Sequence, residues 1–328
     1  MILTITPNPS LDLVYHTESF NIGVTNRELE HREVVGGKGL NAARVAAIMS
    51  GSIPGAVRAT GFLGEDNSDI ALADLKRYGI ENDFIQVPGK TRYCYTIIDK
   101  DGQKTELNEL GQHVSNDEFA QLLQIIDSFD DLRAVSLNGS LPKGLPSTAY
   151  STMISHIRLH SPSAKIILDT SGVALKATLQ SNDLPDVIKP NNDELSTLLN
   201  RSVSENPTDA LSALRDSRLT NIPVVVVSLG STGAVVKVGT DSPTFYFVKT
   251  RALTVVNTEG SGDAVVGGML YAFEQGLDTL STIKYGMAAG MANVLEPTTG
   301  FVNPQNVGGF FEDDSQILFQ KVPSAMEV

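Results

Sequence analysis

Short apolar runs rich in β-branched residues recur along the chain, and stretches with apolar residues at helical spacing lie between them. Runs of this kind are typical of strands in a parallel sheet that helices cover on both faces. The runs lie at residues 2–6, 134–137, 165–169, 186–188 and 224–228, and the helical stretches at 40–49, 117–129, 147–159, 193–199, 208–215 and 263–274. Strand and helix therefore alternate over most of the 328 residues, which predicts an α/β fold with a doubly wound central parallel sheet flanked by helices.

Two stretches, residues 12–35 and 90–110, break this alternation. Polar and apolar residues alternate in both, and neither carries a long helical pattern. Residues 93–98, a polar turn at 99–102 and residues 104–107 have the pattern of a β-hairpin. We expect a single domain over residues 1–328 in which these two stretches form a small β-sheet that acts as a lid or a dimer contact.

Composition argues against several classes of function. The chain has 38 Asp and Glu against 25 Lys and Arg, a formal charge of −13, so it lacks the basic field of a nucleic-acid or membrane-surface binder. It also lacks a run of ~18 apolar residues, the length that a membrane span needs. Cys94 is the single cysteine, so no intrachain disulfide or cysteine-ligated zinc site can form, and we expect a cytoplasmic protein.

The segment at residues 255–264 carries the strongest chemical signal. An apolar run is followed by Gly260, Ser261 and Gly262, and a helix is predicted to begin at about Asp263. Backbone N–H groups would converge there at the positive end of the helix dipole, which suits an anion such as a transferring phosphoryl group. Asp263 could take a proton from an incoming hydroxyl. The alternative is that Asp263 only caps the helix.

A second glycine-rich segment, residues 35–43, also precedes a predicted helix. Close backbone approach at Gly36, Gly37 and Gly39, with the single cation Lys38, suits a phosphorylated or polyhydroxylated ligand. The segment is not a P-loop, because Lys38 is followed by glycine rather than by serine or threonine. It fits the dinucleotide pattern G-x-G-x-x-A but does not follow the first strand, and a turn with close helix packing is the simpler alternative.

Two further segments follow predicted strands. After the strand at 186–188, Asn191 and Glu194 could orient water around Mg²⁺, or they could form a capping box behind the turn at Pro190. After the strand at 224–228, residues 228–233 form a glycine-rich loop. Such loops bind ligands at the carboxyl ends of parallel strands, but an ordinary hairpin turn has the same composition.

The order and spacing of these segments resemble the ribokinase-like carbohydrate kinases of the phosphofructokinase-B family over essentially the whole chain. Residues 36–41 look like the first signature of that family, and residues 257–263 look like the second, which holds an anion hole and a catalytic aspartate. Residues 189–194 are similar to its K-P-N-x-x-E magnesium motif, and residues 228–233 to its nucleotide loop. Residues 6–12, 91–92, 105–106 and 138–142 resemble the phosphosugar members, tagatose-6-phosphate kinases first and 1-phosphofructokinases next. Thr258 and Glu259 depart from the pattern, because those members usually carry proline and a small apolar residue there.

The resemblance implies an enzyme that uses ATP and Mg²⁺ to phosphorylate a ketohexose monophosphate to the 1,6-bisphosphate. Tagatose 6-phosphate is the favoured substrate and fructose 1-phosphate the alternative, and a homodimer is implied. A sugar-phosphate-binding regulator without catalysis is a second alternative. The implied site residues are Asp263, Gly260, Ser261 and Gly262 for catalysis; Asp12, Arg27, Gly37, Lys38, Asn41, Arg92 and Asn138 for the sugar phosphate; Lys189, Ser228, Gly230, Gly233 and Asn293 for the nucleotide; and Asn191 and Glu194 for water-mediated magnesium binding.

Overall fold

The computed structural model describes residues 1–323, so the end of the predicted domain, residues 324–328, lies outside the described chain. The strands are β1 (Ile2–Thr6), β2 (Ser10–Thr17), β3 (Glu28–Gly36), β4 (Val57–Gly64), β5 (Glu81–Asn82), β6 (Ile85–Val87), β7 (Arg92–Asp99), β8 (Lys104–Asn108), β9 (Ala134–Asn138), β10 (Lys165–Asp169), β11 (Val187–Ile188), β12 (Val224–Ser228), β13 (Ala234–Val238), β14 (Thr244–Thr250) and β15 (Ile317–Val322). The helices are α1 (Lys38–Met49), α2 (Ser68–Arg77), α3 (Asn116–Asp127), α4 (Ala149–His160), α5 (Gly172–Leu179), α6 (Asn192–Leu199), α7 (Pro207–Ala213), α8 (Ser261–Glu274), α9 (Thr279–Asn293) and α10 (Pro304–Glu312). Within residues 1–323, none of these helices combines the length and the apolarity that a membrane span requires.

Most strands form one large sheet, in the order β15-β14-β13-β12-β11-β10-β9-β1-β4-β5, with β6 also paired to β4. Neighbouring strands run parallel from β12 to β5. The strands β13, β14 and β15 add an antiparallel edge. The predicted α/β fold with a central parallel sheet is confirmed, while the antiparallel edge is not among the predicted elements.

The central strand β1 shows why the sheet needs helices on both faces. All of its residues are buried. Ile2 packs into the core on one face, whereas Leu3 and Ile5 pack into the core on the other, because side chains alternate along a strand. Burying an aliphatic side chain of this size contributes ~1.5–3 kcal/mol, so a strand that is apolar on both faces is most stable in the middle of the sheet.

Glycines bring three helices together on one face of the large sheet. A β-carbon at Gly267 of α8 would approach the carbonyl oxygen of Ala42 in α1 to 2.6 Å, and one at Gly268 would lie 2.7 Å from the β-carbon of Ala289 in α9. Real side chains do not tolerate such distances, so α8 can approach both neighbours only because these positions lack a β-carbon. The close packing holds the start of α8 beside the start of α1.

A second, four-stranded sheet has the order β3-β2-β7-β8. Its strands lie in the two stretches that were predicted to form a small sheet, except that β2 begins earlier, at Ser10, and β3 ends one residue later, at Gly36. The predicted hairpin is confirmed, since β7 and β8 pair antiparallel on either side of a turn. The small sheet joins the large one at the carboxyl end of β1, because β2 follows β1 after only a short connection.

Candidate active site

The carboxyl ends of the central parallel strands meet at one edge of the large sheet. Thr6 ends β1, Asn138 ends β9, Asp169 ends β10, and Lys189 directly follows β11. The carboxyl edge of an open α/β sheet is where such folds bind ligands. The segments that the sequence analysis selected therefore come together at the edge where chemistry is expected.

The helix α8 begins in a tight turn at this edge. Gly260 has φ 72°, a left-handed conformation, and a β-carbon there would approach the methyl group of Thr299 to 2.5 Å. The first backbone N–H groups of a helix, here those of Ser261, Gly262 and Asp263, have no acceptor within the helix. A β-carbon at Gly262 would lie 3.3 Å from Lys189 Nζ, so an ammonium group lies close to these amides. The turn is thus built to hold an anion.

Asp263 lies in the first turn of α8 and is the candidate general base. Asn41 Nδ2 donates a hydrogen bond of 2.7 Å to Asp263 Oδ2. Burial and the negative charge of Asp169 raise the pKa of Asp263 to about 6, while the charge of Lys38 and the bond from Asn41 act in the opposite direction. A carboxylate with this pKa is mostly ionised at neutral pH and is still basic enough to take a proton.

Arg44 fixes the orientation of Asn41. The Arg44 side chain is buried, and its NH2 group donates a 2.7 Å hydrogen bond to Asn41 Oδ1, which leaves Nδ2 to face Asp263. The same guanidinium also donates to the carbonyl oxygens of Val35 and Thr299. The sequence patterns did not indicate this residue, although Arg44 is the only charged residue in the helical stretch 40–49, which was a usable signal.

A chain of alternating charges runs beneath the site. Lys38 Nζ lies 3.1 Å from Asp169 Oδ1 and 3.2 Å from Glu194 Oε1, and Lys189 Nζ lies 3.5 Å from Asp169 Oδ2. Burial alone would raise the pKa of Asp169, but Lys189 and Lys38 outweigh it and lower that pKa. Burial alone would lower the pKa of Lys38, but the charges of Asp169 and Glu194 outweigh burial and raise that pKa. Asp169 therefore organises both lysines.

Asp12 contributes a carboxylate from the small sheet. Ser10 Oγ donates a 2.6 Å hydrogen bond to Asp12 Oδ1. Burial raises the pKa of Asp12, only partly offset by this bond and by the charges of Arg92 and Arg44. A β-carbon at Gly36 would collide with the Asp12 carboxylate. The glycine signature thus leaves room for this side chain.

The three cations predicted to bind the substrate phosphate are not brought together. Lys38 is paired with two carboxylates, as described above. Arg92 donates hydrogen bonds to the backbone carbonyls of Asn8, Pro9 and Glu109. Arg27 precedes β3, whose first residue pairs with Thr17 of β2. Thr17 lies five residues beyond Asp12, or ~17 Å along an extended strand, so Arg27 is at the far end of the small sheet.

Two predicted ligand-binding amides point into the protein. Asn138 is fully buried, and its Nδ2 donates to Ser136 Oγ at 2.7 Å. Asn293 is also fully buried, and its Nδ2 donates to the carbonyl oxygen of Phe301 at 2.9 Å. Asn138 Nδ2 also donates to the carbonyl oxygen of Ile5 at 3.4 Å. Both buried amides therefore bind the backbone around the site in this structure.

The remaining predicted residues lie at the carboxyl ends of β11 and β12. Asn191 and Glu194 form a capping box, in which Asn191 Oδ1 accepts from Glu194 N at 2.8 Å and Glu194 Oε2 accepts from Asn191 N at 3.0 Å. The loop 228–233 joins the antiparallel strands β12 and β13, so it is also a hairpin connection. Both of its glycines, Gly230 and Gly233, have positive φ.

Comparison with known proteins agrees with this arrangement. Residues 8–306 match the pfkB family of carbohydrate kinases. The chain belongs to that family. Among solved structures, phosphofructokinase-2 from Escherichia coli in complex with substrates and products is 26% identical, with a TM-score of 0.82 over 95% of this chain and 98% of that chain. Its tetrameric inhibited form is 25% identical, with a TM-score of 0.80 over the same shares. Ribokinase from Thermotoga maritima, 20% identical, has a TM-score of 0.74 over 95% of this chain and 99% of that chain and is similar in fold.

Family membership makes this chain a sugar kinase, in a family whose members use ATP. It confirms the predicted family and enzyme class. It also disfavours the dinucleotide interpretation of residues 37–42, which follow β3 of the small sheet and not a strand of the large one. Asp169 is a second charged residue at this site that the sequence patterns did not indicate, because only its position at the end of β10 marks it.

Proposed function

We propose that this kinase transfers the γ-phosphoryl group of ATP to the free primary hydroxyl of a ketohexose monophosphate, giving the 1,6-bisphosphate. The proposal rests on the position and pKa of Asp263: its carboxylate lies in the first turn of α8 and has a pKa of about 6. A base at this place can take the hydroxyl proton while the amides beside it stabilise the charge on the transferring group.

Asp263 accepts the hydroxyl proton, and the oxygen attacks the γ-phosphorus in line as the bond from that phosphorus to the β,γ-bridging oxygen breaks and ADP leaves. The N–H groups of residues 260–263 face the negative charge that develops on the phosphoryl oxygens. Asn41 keeps the carboxylate in place, and Asp12 and Gly37 hold the sugar hydroxyls. MgATP supplies the phosphoryl group when it is bound. The small sheet covers the sugar and excludes water, which limits idle hydrolysis of ATP.

We assign the nucleotide to Lys189 and the loop 228–233, and Mg²⁺ to water held by Asn191 and Glu194. The donor set fits such a role. Glu194 Oε1 accepts a hydrogen bond from Lys38 Nζ, and Glu194 Oε2 accepts one from the backbone N–H of Asn191. A carboxylate offers about four lone-pair sites, so about two remain for water molecules bound to a hard cation.

The phosphate already on the substrate needs a cation at the sugar end of the cleft. Arg92 is the best-placed of the three predicted residues, because it lies on β7 opposite Ser10, two residues from Asp12 along β2, and its charge offsets part of the rise in the Asp12 pKa. Three of its donors bind backbone carbonyls, which leaves about two of five for a phosphate. Lys38 is paired with two carboxylates, and Arg27 lies at the far end of the small sheet. Both are therefore secondary candidates for binding this phosphate.

We propose tagatose 6-phosphate as the substrate, with fructose 1-phosphate as the alternative. Both expose one primary hydroxyl opposite one phosphate on a furanose ring, so one clamp could hold either. Residues 91–94 and 299–303 resemble the corresponding stretches of tagatose-6-phosphate kinases, which supports the tagatose assignment. We also propose a homodimer, since large apolar side chains are exposed on the small sheet, Leu29 and Leu107, and in the connection between β2 and β3, Ile22. The single cysteine supports a cytoplasmic location. Sedimentation equilibrium measures the mass of the particle.

The test is ADP formation from MgATP with a panel of acceptors: tagatose 6-phosphate, fructose 1-phosphate, fructose 6-phosphate, fructose and ribose. Turnover confined to the phosphorylated ketohexoses supports the proposal, and the ranking of kcat/KM among them identifies the substrate. Turnover of an unphosphorylated sugar contradicts the role given to Arg92. Tight binding of a phosphosugar by folded protein without turnover would instead identify a regulator.

A further inference from the structure

Glu259, which directly precedes the left-handed Gly260, is bound by both edge strands of the small sheet. Lys104 Nζ of β8 lies 2.9 Å from Glu259 Oε1, and Arg32 NH2 of β3 lies 3.6 Å from Oε2. The strands β2 and β7 lie between these two edges, which separates the edges by ~14 Å. One carboxylate, from the loop that precedes α8, therefore binds the small sheet at both of its edges.

The pairing register shows that the two cations share a face. Arg32 lies opposite Val14, and Val14 lies opposite Thr96. Lys104 lies opposite Ile98, two residues from Thr96 on the same strand. Residues opposite each other, and residues two apart on one strand, lie on the same face of a sheet. Arg32 and Lys104 thus extend from one face and converge on Glu259.

That face is also the face of the candidate sugar site. Asp12 lies two residues before Val14 on β2, so its carboxylate is on the same side as Arg32 and Lys104. The charge of Glu259 reaches Asp12, since it helps to raise the Asp12 pKa after burial, the largest cause. The ion pairs with Glu259 therefore hold this face against the start of α8.

Glu259 is itself fixed in a turn. Its backbone N–H donates a 3.0 Å hydrogen bond to Asn257 Oδ1. Arg32 NH1 also donates a 2.6 Å hydrogen bond to the carbonyl oxygen of Pro297. Arg32 therefore contacts two loops, the one that precedes α8 and the one that follows α9. Side-chain exposures of 22% for Glu259, 36% for Arg32 and 38% for Lys104 place these groups between surface and interior, where salt still screens them.

We propose that Glu259 is a positioning residue that latches the small sheet closed over the sugar site through Lys104 and Arg32, and that couples this closure to the anion-binding turn at Gly260. A small apolar residue at position 259 could make neither ion pair. The inference rests on the proposed function for the identity of the covered site. The closure itself can be measured without substrate or turnover.

The experiment is hydrogen exchange of the full-length, ligand-free protein, followed by mass spectrometry on peptides that cover β3 and β8. We expect Glu259→Gln and Lys104→Met to speed exchange of β8 about two- to fivefold, the range for ion pairs of this exposure. The double variant should exchange no faster than Glu259→Gln alone, because Glu259→Gln already removes the ion pair that Lys104→Met removes. Lys100→Met, on the exposed turn of the same hairpin, is the matched control and should match the wild type.

The response to salt gives a second test. Raising ionic strength from ~0.05 M to ~1 M shortens the Debye length to ~3 Å, so β8 of the wild type should exchange faster, while Glu259→Gln should hardly respond. Equal exchange in the wild type and Glu259→Gln at low salt, or additive effects in the double variant, would overturn the latch. So would a wild type that is insensitive to salt.

Kinetics separates positioning from simple loss of stability. If the panel identifies a substrate, Lys104→Met should raise its KM more than it lowers kcat, and Lys104→Arg should restore both. If Glu259→Gln instead lowers KM with exchange unchanged, Glu259 competes with the substrate phosphate, and the latch is wrong. If no sugar is phosphorylated, the proposed function fails, and the exchange result still decides whether the latch exists.

Discussion

Replacing Asn41 by alanine should raise the pH at which the enzyme becomes active. Asn41 Nδ2 donates a 2.7 Å hydrogen bond to Asp263 Oδ2. Burial and the charge of Asp169 raise the pKa of Asp263 to about 6, and the bond from Asn41 limits that rise. Since the donor stabilises the ionised carboxylate, its loss raises the pKa further.

The size of the effect follows from the strength of the bond. A hydrogen bond to a charged group contributes ~1.5–3 kcal/mol. One pH unit corresponds to ~1.36 kcal/mol, so full loss of the bond would raise the pKa by about one to two units. Water that enters the space left by the side chain replaces part of the interaction. We therefore expect the lower end, a shift of about one pH unit.

The assay is kcat/KM measured between about pH 5 and about pH 9, with the best acceptor of the panel. In the wild type the rate should rise through about pH 6 and then level off, because only the ionised Asp263 takes a proton. Asn206→Ala, which removes an amide that caps α7, is the control and should keep the wild-type profile. A lower plateau with an unshifted acid limb would show that Asn41 does not tune Asp263, and a shift to lower pH would refute the electrostatic argument.

Three further substitutions test the site and the fold. Asp263→Asn should lower kcat at least ~10²-fold without lowering the thermal midpoint, because it removes a buried charge that lies near Asp169; ADP release and calorimetry measure the two effects. Gly260→Ala should destabilise the protein by ~1–3 kcal/mol in urea titrations, because φ is 72° and the Thr299 methyl group lies in the way. Ser115→Ala should cost ~1 kcal/mol in the same titration and leave kcat unchanged, because it removes only the capping box with Glu118.

Local patterns were sufficient to predict several elements. The predicted strands at 2–6, 165–169 and 224–228 have the bounds of β1, β10 and β12, because a strand buried on both faces is a continuous apolar run. Helix α9 was not predicted, since most of its residues from Thr282 to Asn293 are buried and no polar stripe marks one face. Strands β13 and β14, which lie inside the edge strand β15, were not predicted either, although the hairpin alternative for residues 228–233 implied an antiparallel strand after that loop.

The sequence by itself also determined the anion-binding turn, because Gly260, Gly262 and Asp263 are neighbours in the chain and their backbone conformation is a local property. Only the tertiary structure decided what surrounds that turn. Lys38, predicted to bind a phosphate, pairs with Asp169 and Glu194, which lie 131 and 156 residues away in the chain.

The side chains of Asn138 and Asn293, which were predicted to bind ligands, are buried in the protein. Glu259 binds Lys104, which lies 155 residues away in the chain. Turn and strand preferences depend on adjacent residues, whereas Coulomb energy and burial depend on distances in space, which only the packed chain sets. The candidate base and the start of its helix could thus be predicted from the sequence, while its pKa, its hydrogen-bond partner Asn41 and the ion pairs of Glu259 could not.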